Sequence, residues 1–239
     1  MAEKQKRAGA LQSELHIELH TNYAIGLWEG RRGEKREDGK KGKQPIMGMP
    51  QFLHRASIIN KDSLQNDPWA DMAMLALEEK INYASQQMTL LIERLEKQMS
   101  FIPVGVTISD AQASETLDLT VFSSTPLGYR CVFLLMGFDQ FAKKVLQAAH
   151  YGVIPRTQRY DLLGDGSRLL REIYGCVLRY RRAGASRFDA IENNDVWQKA
   201  CQDSGEPDRA VLLGEKRSAF SPPVNEASVN LLRLRYQTT

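Results

Sequence analysis

Eight arginines, Arg156, Arg159, Arg168, Arg171, Arg179, Arg181, Arg182 and Arg187, crowd one stretch of this chain, opposed there only by Asp161, Asp165 and Glu172. The stretch contains no lysine and carries a net charge of +5, more than the +3 of the whole chain. Arginine presents a planar fork that grips a phosphate or a guanine edge through two parallel hydrogen bonds, where lysine acts as a point charge. Tyr151, Tyr160, Tyr174 and Tyr180 are interleaved and can stack or donate to phosphate oxygens. Such a segment needs either an anionic partner or a compensating acidic surface.

A second basic run lies far upstream. Residues 30–45 read GRRGEKREDGKKGKQP, without an apolar periodicity. Arg31, Arg32, Lys35, Arg36, Lys40, Lys41 and Lys43 outweigh Glu34, Glu37 and Asp38, for a net charge of +4. A flexible Lys/Arg-rich loop of this kind makes phosphate contacts that release counterions, or else serves as a solvated linker. These fifteen cations are the candidate DNA-contacting residues.

Other constellations carry less. His16, Glu18 and His20 share one face of an expected strand, but no third ligand pattern accompanies them, so no metal is expected. Asp161–Gly166 lacks the ligand spacing of a calcium loop. No phosphate-binding glycine loop, dinucleotide fingerprint or nucleophile elbow occurs, and no catalytic residue or cofactor is expected. The three cysteines, Cys131, Cys176 and Cys201, form no C-x-x-C pair and fit reduced core positions in a cytoplasmic protein. The charged start of the sequence excludes a secretory signal, and no apolar run approaches the ~20 residues that span a bilayer.

The elements that would position these cations follow from pattern. Leu15, Ile17 and Leu19 alternate with His16, Glu18 and His20 as in a half-buried strand, continuing toward Tyr23–Trp28. Asp67 and Pro68 begin a long helix over 67–99. Its stripe, Ala70, Met74, Leu77, Ile81, Ala84, Met88, Leu91 and Leu95, fits packing inside the monomer or across a dimer. Further strands are expected over 104–108 and 117–121. A helix from Pro126 to Met136 is expected to break at Gly137, with Asp139 capping a second to His150. Helices over 167–182 and 189–201 and a terminal strand over 230–236 complete the reading. The expected class is α+β, mostly helical, with a basic tail over 1–14, one domain over 15–223 and a C-terminal extension over 224–239.

Several segments together resemble one family. Thr21–Arg32 (TNYAIGLWEGRR), Ile46–Phe52 and Asn66–Leu75 are similar, in order, to the opening of the AcaB-like regulators of conjugative plasmids and integrating conjugative elements. Phe122–Arg130 with Leu134–Asp139, then Ala148–Ile154 and Pro207–Pro222, continue the likeness. The resemblance implies a homodimeric protein that binds double-stranded DNA upstream of the promoter of a transfer-gene activator and raises its transcription. It also implies a ribbon-helix-helix-like element, although neither candidate strand face, His16/Glu18/His20 nor Thr116/Asp118/Thr120, is basic. A dimer would meet half-sites ~10 base pairs apart or a multiple of that. The alternative from the residues is an interaction or scaffold protein of the conjugation machinery that uses the stripe of the long helix as its partner surface.

Overall fold

The computed structural model describes residues 14–33, 42–103, 105–109 and 115–237. Its class is mostly helical α+β. The helices are α1 (Asn22–Glu29), α2 (Met49–Leu64), α3 (Pro68–Met99), α4 (Pro126–His150), α5 (Arg156–Arg179), α6 (Arg187–Glu192), α7 (Asp195–Ser204), α8 (Arg209–Leu212) and α9 (Glu226–Gln237). Two strands, β1 (Leu15–Leu19) and β2 (Leu117–Val121), pair antiparallel with Leu15 opposite Val121 and Leu19 opposite Leu117.

The long helix forms where the caps place it. Asp67 accepts from the backbone N–H of Trp69 (2.8 Å) and Ala70 (3.2 Å), satisfying two of the orphan donors of a helix start. The stripe turns inward. Ala70, Met74, Leu77, Ile81, Ala84, Met88 and Leu95 are all buried, packed against α2, α4 and α5. The intramolecular option therefore holds, and the stripe is not available as a scaffold's partner surface.

Five other expectations give way. Residues 22–29 form α1 rather than prolonging the strand, because Thr21 caps it, accepting from Ala24 N–H while donating to Asp139. α4 runs unbroken through Gly137, whose open surroundings cost it only the usual ~1 kcal/mol of a helical glycine. Val132, Leu135, Phe138 and Phe141 on either side, all buried, hold the helix together. Asp139 caps α1 instead of a second helix: it is fully buried and accepts from the backbone of His20 and Thr21 (2.9 Å each). The C-terminal strand is instead α9, started by Asn225 accepting from Ser228 N–H, with Val229 and Leu232 buried one turn apart. Residues 105–109 are not a strand, and Val104 lies outside the described residues. The expected helix over 189–201 divides into α6 and α7 at Asn193, which turns left-handed (φ 52°).

Two clusters lie beside the main core. Ala190, Leu212, Leu213 and Leu232 join α6, α8 and α9, so the 224–237 segment packs onto the domain. Trp69 and Trp197 meet with ring centroids 4.9 Å apart, and Trp69 donates Nε1 to the Gly205 carbonyl.

Candidate nucleic-acid interface

The arginine-rich stretch separates into three groups once folded. The first sits at the start of α5. Arg156 donates to the Tyr160 hydroxyl, and the Arg156 and Arg159 guanidinium groups lie 5.6 and 4.6 Å from the Tyr160 ring centroid. Those two cations hold the Tyr160 phenol below its ordinary pKa, the Arg156 hydrogen bond contributing most. Arg168, one face along, is exposed and partly engaged with Asp165 at 3.4 Å.

The second group starts at Arg171, one turn beyond Arg168, and runs to the other end of the helix, where Arg179 lies ~35 Å from Arg156 at 1.5 Å per residue. Arg171 and Arg179 point outward, and Arg181 and Arg182 follow on the extended segment after α5. That segment runs along α2. Leu178 shares a cavity with Gln51, His54 and Arg55, Tyr180 donates to Asp62 (2.9 Å), and Arg182 reaches Asp62 (3.0 Å) and Gln65 (3.0 Å). Burial, with Asp67 and Asp62 adding to it, raises the Tyr180 phenol far above its usual range, so it stays a donor. Arg171 and Arg181 form no ion pair with another described residue.

The third group is a single residue, and it leaves the interface. Arg187 is fully buried. It donates to Asp71 (2.7 Å), Asn66 (3.2 Å) and the carbonyls of Leu212 (2.9 Å) and Val211 (2.7 Å). Asp71, also fully buried, takes two further bonds from Arg217 (3.0 and 2.9 Å) and one from Ser63 (2.6 Å). Burial pulls the Arg187 pKa down while Asp71 pushes it back up. A guanidinium with its donors spent inside the fold has none to offer a phosphate. Arg187 is thus corrected from a contact residue to the tie between α3 and the C-terminal elements.

The basic loop begins and ends at the same place. Arg31 and Ile46 exchange backbone hydrogen bonds (2.8 Å each way), and Arg31 donates to the Gln44 carbonyl (3.0 Å). Gly30 makes this closure possible: at φ 69° a Cβ would meet the Ile46 carbonyl oxygen at 2.4 Å. Arg31, Arg32 and Lys43 are exposed at the base, whereas Lys35, Arg36, Lys40 and Lys41 lie outside the described residues. Pro45 and Met47, just past the loop, line the same cavity of about 590 Å3 as Arg55 and Leu178. Two basic segments more than a hundred residues apart in sequence therefore meet beside α2.

The ribbon carries the opposite charge. Glu18 stands directly across from Asp118, both exposed, and Glu14 precedes β1. His16 and His20 sit against carboxylates, His16 Nε2 3.3 Å from Glu14 and His20 Nδ1 3.0 Å from Asp139. Among the described residues no group of side chains is placed to hold a metal ion. No described helix is long and apolar enough to cross a membrane.

α2 is the helix beside these segments that pattern reading misses. Its signal is present: Met49, Phe52, Ala56, Ile59 and Ser63 are spaced by three and four, with Pro50 in the first turn, and all but Pro50 are buried.

A family model described as "Transcriptional regulator AcaB" matches residues 7–225. Among solved structures, a crystal structure of selenomethionine-containing AcaB from uropathogenic E. coli shares the fold, with a TM-score of 0.55 at 14% identity. The similarity covers 85% of this chain and 95% of that one. No curated protein sequence matches the chain.

Proposed function

Because the chain belongs to the AcaB family of transcriptional regulators, we propose that it is a sequence-specific, double-stranded-DNA-binding activator of conjugative transfer genes on a mobile element. It acts as a homodimer, in the cytoplasm, and without enzymatic chemistry. One observation carries the reading. The base of the 30–45 loop and the C-terminal end of α5 meet beside α2, around the cavity lined by Pro45, Arg55 and Leu178.

Duplex DNA fits such a face because it is a dense, regular anion, and each phosphate neutralised by Lys or Arg releases condensed counterions. Arg31, Arg32 and Lys43 are exposed on the first of these segments and Arg171, Arg179 and Arg181 on or just after α5, and the loop adds Lys35, Arg36, Lys40 and Lys41 by sequence. The acidic ribbon would repel the same polyanion, so docking is assigned away from Glu18 and Asp118. Arg156, Arg159 and Arg168 lie toward the far end of α5 and reach DNA only if the duplex runs along the helix or a second protomer continues the surface.

A mobility-shift titration on promoter fragments of the transfer region, repeated across salt concentrations, tests the reading. Log affinity should fall against log salt with a slope of about −4 or steeper, at roughly −0.9 per phosphate neutralised. A flat line, or no shift at low salt, rejects DNA binding.

A further inference from the structure

We infer that the outward face of α2 is the element that reads base identity in the major groove of the DNA. The inference rests on the DNA-binding reading above and goes beyond it, because that reading assigns phosphate docking and leaves sequence recognition without a residue.

The first observation is the composition of the face. Gln51, His54, Arg55, Ile58 and Lys61 are exposed and recur every three or four residues, so they form one strip. The strip has what base edges require: an amide that both donates and accepts, a guanidinium that pairs with guanine O6 and N7, an imidazole, and an aliphatic group for a thymine methyl. The single carboxylate of α2, Asp62, is buried and occupied by Tyr180 and Arg182, so no acid of α2 opposes a duplex. Glu29, whose backbone packs on Gly48, is an exposed carboxylate beyond the first turn.

The second observation is shape. α2 stands as a ridge between two hollows, and Pro50 and His54 line both. On the ribbon side a cavity of about 490 Å3 is bounded by Trp28, Leu53, Lys61 and Thr120–Ser124. On the other side lies the cavity of about 590 Å3 beside Pro45 and Leu178. A helix is ~10–12 Å across with its side chains and the major groove of B-DNA is ~12 Å wide, so the ridge can enter with one groove wall over the hollow beside Pro45 and Leu178.

The third observation is the placement of charge. Arg31, Arg32 and Lys43 are exposed beside the start of α2, and Arg182 reaches Asp62 and Gln65 at its other end, with Arg181 exposed next to it in the chain. Cations near both ends of a polar ridge with no exposed acid of its own suit a groove, whose floor carries base edges and whose rims carry phosphates.

The full-length wild-type chain and the Gln51→Ala, Arg55→Ala and Gln202→Ala variants are each taken through selection from a pool of randomised 30-base-pair duplexes. Each is then titrated on the duplex selected by the wild type and on an unrelated duplex. The substituted side chains are exposed, and thermal unfolding checks that each variant keeps the wild-type midpoint. Gln51→Ala and Arg55→Ala should each lose preference at one or two base positions and bind the selected duplex about five- to 150-fold more weakly. On the unrelated duplex the loss should stay within about threefold, and Gln202→Ala, an exposed position on α7 outside both basic segments, should keep the wild-type preference. If both α2 variants enrich the wild-type sequence with undiminished strength, α2 does not read bases. A wild type that binds duplexes but enriches no sequence overturns the inference and leaves electrostatic docking standing. A wild type that retains no duplex at low salt removes the DNA-binding reading itself.

Discussion

Replacing Arg187 with methionine separates its structural role from a DNA-contacting one. The substitution keeps most of the apolar stem and deletes a guanidinium that makes four hydrogen bonds inside the fold. Asp71 is not left bare, because Arg217 still engages both of its oxygens. The Leu212 and Val211 carbonyls and the Asn66 side-chain oxygen each lose a donor in a site without solvent exposure, at ~1–3 kcal/mol for each group left unsatisfied. Breaking a buried ion pair from one side typically costs ~3–5 kcal/mol, and that range is expected here. For a chain of this size it lowers the unfolding midpoint by about 6–20 °C. Thermal unfolding by circular dichroism reads the loss. Titration of the folded variant with DNA well below its midpoint should give an affinity within about twofold of wild type. A stability loss under about 1 kcal/mol together with a tenfold loss of DNA affinity would refute the reasoning and return Arg187 to the interface.

The other predictions test the fold and the basic face separately. Replacing Arg179, Arg181 and Arg182 together with Ala should weaken promoter binding and make the salt slope shallower by roughly one unit for each phosphate no longer neutralised; unchanged affinity at equal salt excludes this end of α5. Burial pushes the Asp67 carboxyl up to about 6 from 3.8, so the folded state binds its proton more tightly and loses stability as pH rises through that window. Asn caps a helix as well as Asp, so Asp67→Asn should be more stable than wild type by about 1–3 kcal/mol at pH 7.5, with the advantage gone near pH 4; a gain that does not vary with pH contradicts this. Two glycines in α5 should respond oppositely to alanine. Gly166→Ala drives a methyl to 2.7 Å from the Phe138 ring and should cost about 1–3 kcal/mol, whereas Gly164→Ala meets nothing within 4 Å and should gain about 0.5–1 kcal/mol in denaturant unfolding.

How far the sequence can be read depends on whether a signal is local. The Asp67–Pro68 start and the three-four stripe of α3 are local, and both ends of that helix fall where they are expected. The ribbon is legible strand by strand, but not as a pair, because alternation says nothing of a partner a hundred residues away. Asp139 beside Gly137 has the pattern of a stop and a fresh start. It is spent on the backbone of His20 and Thr21, a tertiary cap that no window around Asp139 contains. The alternation of Leu232, Leu234 and Tyr236 fits a strand as well as a helix, and the Asn225 cap with the burial of Val229 and Leu232 makes the choice. For the proposed basic face, composition points to segments but treats all eight arginines alike. Arg187 and Arg181 differ only in where the chain turns after Ala183, and that turn places one inside and one outside.

The pairing of β1 with β2 also sets an order of events while the chain is being made. Leu19 sits opposite Leu117, so the first strand leaves the ribosome almost a hundred residues ahead of the segment that will cover it. At synthesis rates of ~5–20 residues per second, Ile17 and Leu19 wait about 5–20 s with their apolar faces in water, while α1, α2 and α3 are already able to collapse. Closure of the ribbon thus waits until half of the chain has been made, and a nascent chain stalled before Leu117 would present a bare strand edge to whatever chaperone or neighbouring chain it meets.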